Sequence, residues 1–162
     1  QHYSPRRSNI NECSRTACVT MAQSDLKKAY YRNLILSMKV AIYNGTPIIA
    51  KPVFMLTIFQ MIEDGILLGN NITFSDELCE RYSNLFHKYS NGKLTPVIYP
   101  YYYLNSEEFY YVKGDTSRRT PSLSFIKEHV EYAALDDELW DLLQDPTVRN
   151  DYREAIIRKF IK

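Results

Sequence analysis

Between Pro96 and Lys113 the chain reads PVIYPYYYLNSEEFYYVK, and no other stretch limits its folding as much. Six of the fourteen tyrosines fall here, in two runs, Tyr99 to Leu104 and Phe109 to Val112, parted by the polar Asn105 to Glu108. Aromatic and β-branched residues bounded by turn formers predict a β-hairpin. A sheet of so few strands is marginal alone in water, so helices must cover it.

The helices are legible from spacing. Leu26, Tyr30, Leu34, Met38 and Ala41/Ile42 recur at helical intervals, predicting a helix from Ser24 to Asn44 that Asn44-Gly45 ends as a C-cap. Pro52 suits the first position of a second helix, Val53 to Asp64, which is apolar on almost every side and so belongs at the centre of the domain. Ile72 to Phe74 predicts a short strand. Ser75 predicts the cap of a third helix with Asp76 and Glu77 in its first turn. Beyond the hairpin, Pro121 opens a fourth helix carrying Leu123, Ile126, Val130 and Ala133/Ala134. Asp136-Asp137 opens a fifth, and Asp145-Pro146 a sixth. The expected class is mainly α with a small antiparallel β-sheet, an α+β fold. Helix, helix, strand, helix, hairpin is the order of a winged-helix-like core, braced here by C-terminal helices.

At 162 residues the chain fits one domain, expected over 22–162. Residues 1–20 are polar and aperiodic and read as a disordered or non-native extension preceding Met21. Twenty basic against nineteen acidic residues give no global attraction to polyanions, so anion binding would need a local patch. Three cysteines without a CxxC argue for a reducing, cytoplasmic setting and against disulfides or zinc. No apolar run reaches membrane length.

Catalysis finds little support in the residues. His2, His87 and His129 are isolated, and no phosphate loop, HExxH or GxSxG occurs. The carboxylates from Glu128 to Asp145 read as helix-start charges on a solvated face rather than a metal site. No cofactor, metal or catalytic residue is expected. Asp76, Glu77 and Glu80 on the third helix would repel phosphates, whereas Lys113, Arg118 and Arg119 follow the tyrosines and Lys51 stands at a helix start. Cations beside tyrosine rings make a workable surface for a nucleic-acid backbone.

Ala50-Lys51-Pro52 with its apolar helix, Gly65, Asn70/Asn71-x-Thr73-Phe74, Tyr99-Pro100-Tyr101-x-x-Leu104 and Glu108-Phe109-Tyr110 carry a resemblance. The chain resembles the N-terminal DNA-binding domain of bacterial HNH restriction endonucleases, in particular the sulfur-binding domain of the phosphorothioate-dependent family, from about Leu34 to Ile161. The resemblance implies that Tyr99 and Pro100 line an apolar cup for the sulfur of modified double-stranded DNA, with basic neighbours on the backbone. Tyr103 stands where that family has a small residue. It also implies a non-catalytic reader, with cleavage left to a nuclease domain or partner. The implied DNA-binding set is Lys51, Tyr99, Pro100, Tyr103, Lys113, Arg118 and Arg119. A second class stays open: a protein-interaction or homo-oligomerisation module using exposed tyrosines and the acidic helices.

Overall fold

The computed structural model describes residues 23–161. The expectation for residues 1–20 lies outside them. The fold is mainly helical with two small antiparallel sheets. A first helix, α1, covers 23–36. The others are α2 (Ala50–Glu63), α3 (Asp76–Tyr89), α4 (Ile98–Tyr103), α5 (Leu123–His129), α6 (Asp137–Leu142) and α7 (Pro146–Ile156). The strands are β1 (Ile42–Tyr43), β2 (Thr46–Pro47), β3 (Tyr110–Gly114) and β4 (Val130–Leu135). No helix among the described residues is long and apolar enough to cross a membrane.

The central helix is the one its composition predicts. Ten of the fourteen residues of α2 are buried, and Thr57 satisfies its hydroxyl by donating to the Val53 carbonyl at 2.9 Å. Each large side chain so enclosed contributes about 1.5–3 kcal/mol. Phe54 is the hub, with the rings of Tyr82, Tyr101 and Tyr110 at 6.4, 6.0 and 6.2 Å, the last two edge-on. The predicted caps on α3 and α7 form: Ser75 accepts from the Leu78 amide and Asp145 from the Thr147 amide.

Three expectations are corrected. The tyrosine-rich stretch is not a hairpin. Its first run, Tyr99 to Tyr103, is helix α4, because Pro100 falls in a first turn where its missing N–H costs nothing. Only the second run is a strand, and β3 pairs with β4, Val112 opposite Ala133. The fourth helix therefore stops at His129. The β-branched Val130 and the small Ala133 and Ala134 continue as β4, whose far side bridges Ile72. The Asn70 amide lengthens that bridge by donating to the Leu135 carbonyl and accepting from the Leu135 N–H. Finally, the first helix does not reach Asn44. Asn44 and Gly45 adopt φ 51° and 77° and join β1 to β2 as a type I′ hairpin turn, the geometry Asn-Gly most favours.

The same tyrosines set the alkaline limit. Burial raises the phenols of Tyr82, Tyr101 and Tyr110, and pushes Tyr152 up to about 12. An unfolded tyrosine titrates near ~10. The folded state therefore holds these protons more tightly, and their contribution is fully present below pH ~10. Urea midpoints followed by circular dichroism should stay level to pH ~10 and fall steadily as pH rises through about 12. A level midpoint across that window would contradict the burial.

Gly114 makes a second test. It sits at the register shift of the β3–β4 ladder with φ 147°, and a Cβ there would lie 2.3 Å from the His129 carbonyl oxygen. Gly114→Ala should lower unfolding stability by about 1–3 kcal/mol in denaturant titration.

Candidate nucleic-acid interface

Helical spacing, not strand alternation, decides which rings of α4 face outward. Tyr99 and Tyr103 are four apart and stack on one face, centroids 6.1 Å apart and planes 19° from parallel. Tyr101 and Tyr102 turn inward and are buried. Tyr101 donates its buried hydroxyl to the Ile72 carbonyl at 2.8 Å, and Tyr110 donates to the Tyr101 carbonyl at 2.6 Å. These bonds hold α4 in one rotational setting.

The outward face lines an open apolar cleft of about 580 Å³. Tyr99, Pro100 and Tyr103 form one wall, and Lys39, Val40, Ala41 and Ile48 line it from the segments flanking the β1–β2 hairpin. Ala50 and Lys51 enter from the start of α2. Tyr103 does not seal the cleft; the residue is 38% exposed and its ring stacks on Tyr99. Small side chains come instead from Ala41 and Ala50.

Lys51 is the cleft's inner cation and is already partnered. Its Nζ lies 2.9 Å from Glu107 Oε2, with the two side chains only 16% and 10% exposed. The same oxygen accepts the Lys39 N–H at 3.1 Å. Glu107 thus ties the start of α2 to the segment after α1. Lys39 is exposed.

The other predicted cations lie outside the cleft lining. Arg118 is linked to it through rings: its guanidinium sits 5.2 Å over Phe125, Phe125 meets Tyr102 edge-on at 6.0 Å, and Tyr102 meets Tyr103 at 5.9 Å. The Tyr102 hydroxyl donates to the Arg118 carbonyl. Asp115 starts this loop by accepting from the Ser117 N–H and hydroxyl, which holds its carboxyl below the usual range. Arg119 is exposed on the same loop, and Lys113 is exposed on β3 opposite Tyr132. So Lys51, Tyr99, Pro100 and Tyr103 converge, Arg118 joins at one remove, and Lys113 and Arg119 stand apart.

Sequence reasoning missed the cleft's other wall, Lys39 to Ala41 with Ile48. The signal was present in Asn44-Gly45, which marks a hairpin as strongly as a helix end. The carboxylates after Glu128 are dispersed: Asp136 accepts from Tyr31 at 3.0 Å, Asp137 from Asn70 at 3.4 Å, and Glu138 pairs with Lys27 at 2.8 Å. His87 and His129 are both exposed, and neither lines the cleft. On α3, Glu77 is paired with Arg81 at 3.5 Å.

This arrangement, a largely buried α2 packed against α4 with a tyrosine–proline cleft alongside, shares its fold with a solved sulfur-binding domain. A solved structure described as the sulfur binding domain of SprMcrA complexed with phosphorothioated DNA superimposes with a TM-score of 0.65, covering 83% of this chain and 86% of that one at 15% sequence identity. No protein-family model and no curated protein sequence matches the chain.

Glu107→Gln should leave the Lys51 ammonium enclosed without its counter-charge and cost about 1–3 kcal/mol in urea denaturation. Lys51→Met combined with it should recover part of that loss. A single variant as stable as the parent would show that the pair does not hold the cleft.

Proposed function

We propose that this chain is a DNA-binding module of restriction or defence type, without catalysis of its own, that reads a phosphorothioate-modified backbone. The binding unit spans residues 22–162 and works with a nuclease domain or partner that cuts. The observation that carries the reading is the cleft itself. Tyr99, Pro100, Ala41 and Ala50 offer an apolar recess within a fold shared with a domain solved on phosphorothioated DNA.

The chemistry follows from hydration. A non-bridging sulfur is larger, softer and more weakly hydrated than the oxygen it replaces. Moving it from water into an apolar recess therefore costs less than moving oxygen, which would leave hydrogen bonds unmade. The recess discriminates by what it lacks. Affinity for the rest of the backbone must come from cations, with Lys39 and Lys51 at the cleft and Lys113, Arg118 and Arg119 beyond it. Such contacts position the duplex without reading sequence.

Fluorescence anisotropy with matched plain and phosphorothioated duplexes separates the two parts. The wild type should prefer the sulfur-bearing duplex, with affinity falling as salt rises. Arg118→Ala and Arg119→Ala should each flatten the log–log salt slope by about 0.9 on both duplexes. Tyr99→Ala should keep the slope and lose the preference for sulfur. Binding of neither duplex at low salt would dispose of the reading. Binding of both without preference would leave a DNA-binding module and remove the sulfur.

A further inference from the structure

A second open groove, of about 690 Å³, adjoins the tyrosine–proline cleft and shares Ile48 and Thr95 with it. Three segments meet there. The β1–β2 hairpin brings Tyr43 and Pro47, the end of α3 and the loop after it bring Phe86 and Leu94, and the turn that follows α7 brings Phe160. Phe86 is buried, Leu94 and Phe160 are half-buried, and Tyr43 is 69% exposed. Aromatic, leucine and proline side chains drawn from three segments and left open to water form a surface suited to the apolar side chains of a partner.

Charge says what kind of partner. The whole lining falls in three stretches without a carboxylate, 26–62, 81–106 and 155–162, although the chain holds nineteen. Lys93 lines the groove and is exposed. Lys88 and Lys159 sit over two of its rings, with Nζ 5.3 Å from the Tyr89 centroid and 5.4 Å from the Phe160 centroid. Glu63 and Asp64 line a neighbouring hollow that also borders Tyr89, where they are paired with Arg153 and Arg81. The groove is apolar within and positive around, and its complement is a set of apolar anchors flanked by carboxylates. A DNA duplex lacks that form, because its outer surface is phosphate and sugar while the faces of its bases are stacked inside. A polypeptide carries both on neighbouring residues. Pro47 has no N–H to offer from β2, so the occupant is held by side chains rather than as an added strand.

We propose that this groove docks an acidic polypeptide segment with aromatic or leucine anchors, supplied by a partner protein. The anchors pack against Phe86, Leu94 and Phe160, and the flanking carboxylates face Lys93, Lys88 and Lys159. The inference goes beyond the DNA-binding reading and does not need it. Where both hold, the shared Ile48 and Thr95 set the docked partner beside the linkage in the cleft, which is where a nuclease must be kept.

Random peptides of about 12 residues, ~40 Å when extended, are displayed on phage and selected on the full chain, and the enriched sequences are synthesised with a fluorescent label. They should carry aspartate or glutamate beside Phe, Tyr, Trp or Leu, and should bind less tightly as salt rises. Tyr43→Ala/Lys93→Glu changes two exposed side chains, so it should keep the wild-type melting temperature while weakening these peptides about tenfold. Exchanging the acidic residues of a peptide for lysine should abolish its binding. Enrichment of nothing, of basic or uncharged peptides, or of acidic peptides that the variant binds as tightly as the wild type, overturns the inference. An oligothymidylate that outcompetes the peptides and is lost in the variant also overturns it, and makes the groove a single-strand site. A dimer seen by light scattering and dissolved by the variant overturns it in favour of a second copy. Duplex binding is read separately by anisotropy, so failure here leaves the DNA reading standing.

Discussion

A phenol buried in a protein core must find an acceptor for its hydroxyl, and that requirement organises this molecule. Tyr101 and Tyr110 are enclosed beside Phe54, and each donates to a backbone carbonyl, of Ile72 and of Tyr101 respectively. Ile72 in turn exchanges two backbone hydrogen bonds with Ala133 at 2.7 and 2.8 Å. A continuous line of polar contacts thus runs from β3 through α4 to Ile72 and on to β4, inside a core where an unmade bond costs most. The line sets the rotation of α4. A turn of that short helix either way would orphan the Tyr101 hydroxyl and swing Tyr99 and Tyr103 off the cleft.

The site is therefore a by-product of core chemistry. Of the adjacent tyrosines of α4, two are consumed by packing, and the two spaced a helical turn apart are left outside. The cleft they line is apolar, and its inner cation is tied to Glu107, so its interior holds little free charge. Lys39 is exposed at the cleft, and the other cations lie outside its lining, on the loop that carries Arg118 and Arg119 and on β3. A mostly apolar recess whose inner cation is neutralised by Glu107, with most of the remaining positive charge beyond it, separates recognition of one atom from attraction to a backbone.

Much of this was readable in the residues. The apolar run from Val53 announced a buried helix because nothing polar interrupted it. Ser75 and Asp145 announced helix starts because their side chains can accept from amides a turn ahead. Tyr99-Pro100, with Lys51 from a distant segment, was legible as a candidate site, and these residues do share one cleft. The errors were of one kind. Tyr99 to Tyr103 has strand-forming composition and lies in a helix. Val130 to Ala134 fits a helical period and lies in a strand. Asn44-Gly45 suits a helix end and a hairpin turn equally.

Local composition, then, determined that the chain is mainly helical, which helix is central and where several helices begin, because burial and capping act within a few residues. Only the tertiary structure decided the pairing of β3 with β4, the helical state of the tyrosine run and the second wall of the cleft. Each is settled by a partner far along the chain. The Tyr101 hydroxyl needs Ile72, Val112 needs Ala133, and Glu107 needs both Lys39 and Lys51. A short segment with two acceptable conformations takes the one whose buried polar groups are satisfied, and that is decided by what the rest of the chain brings alongside.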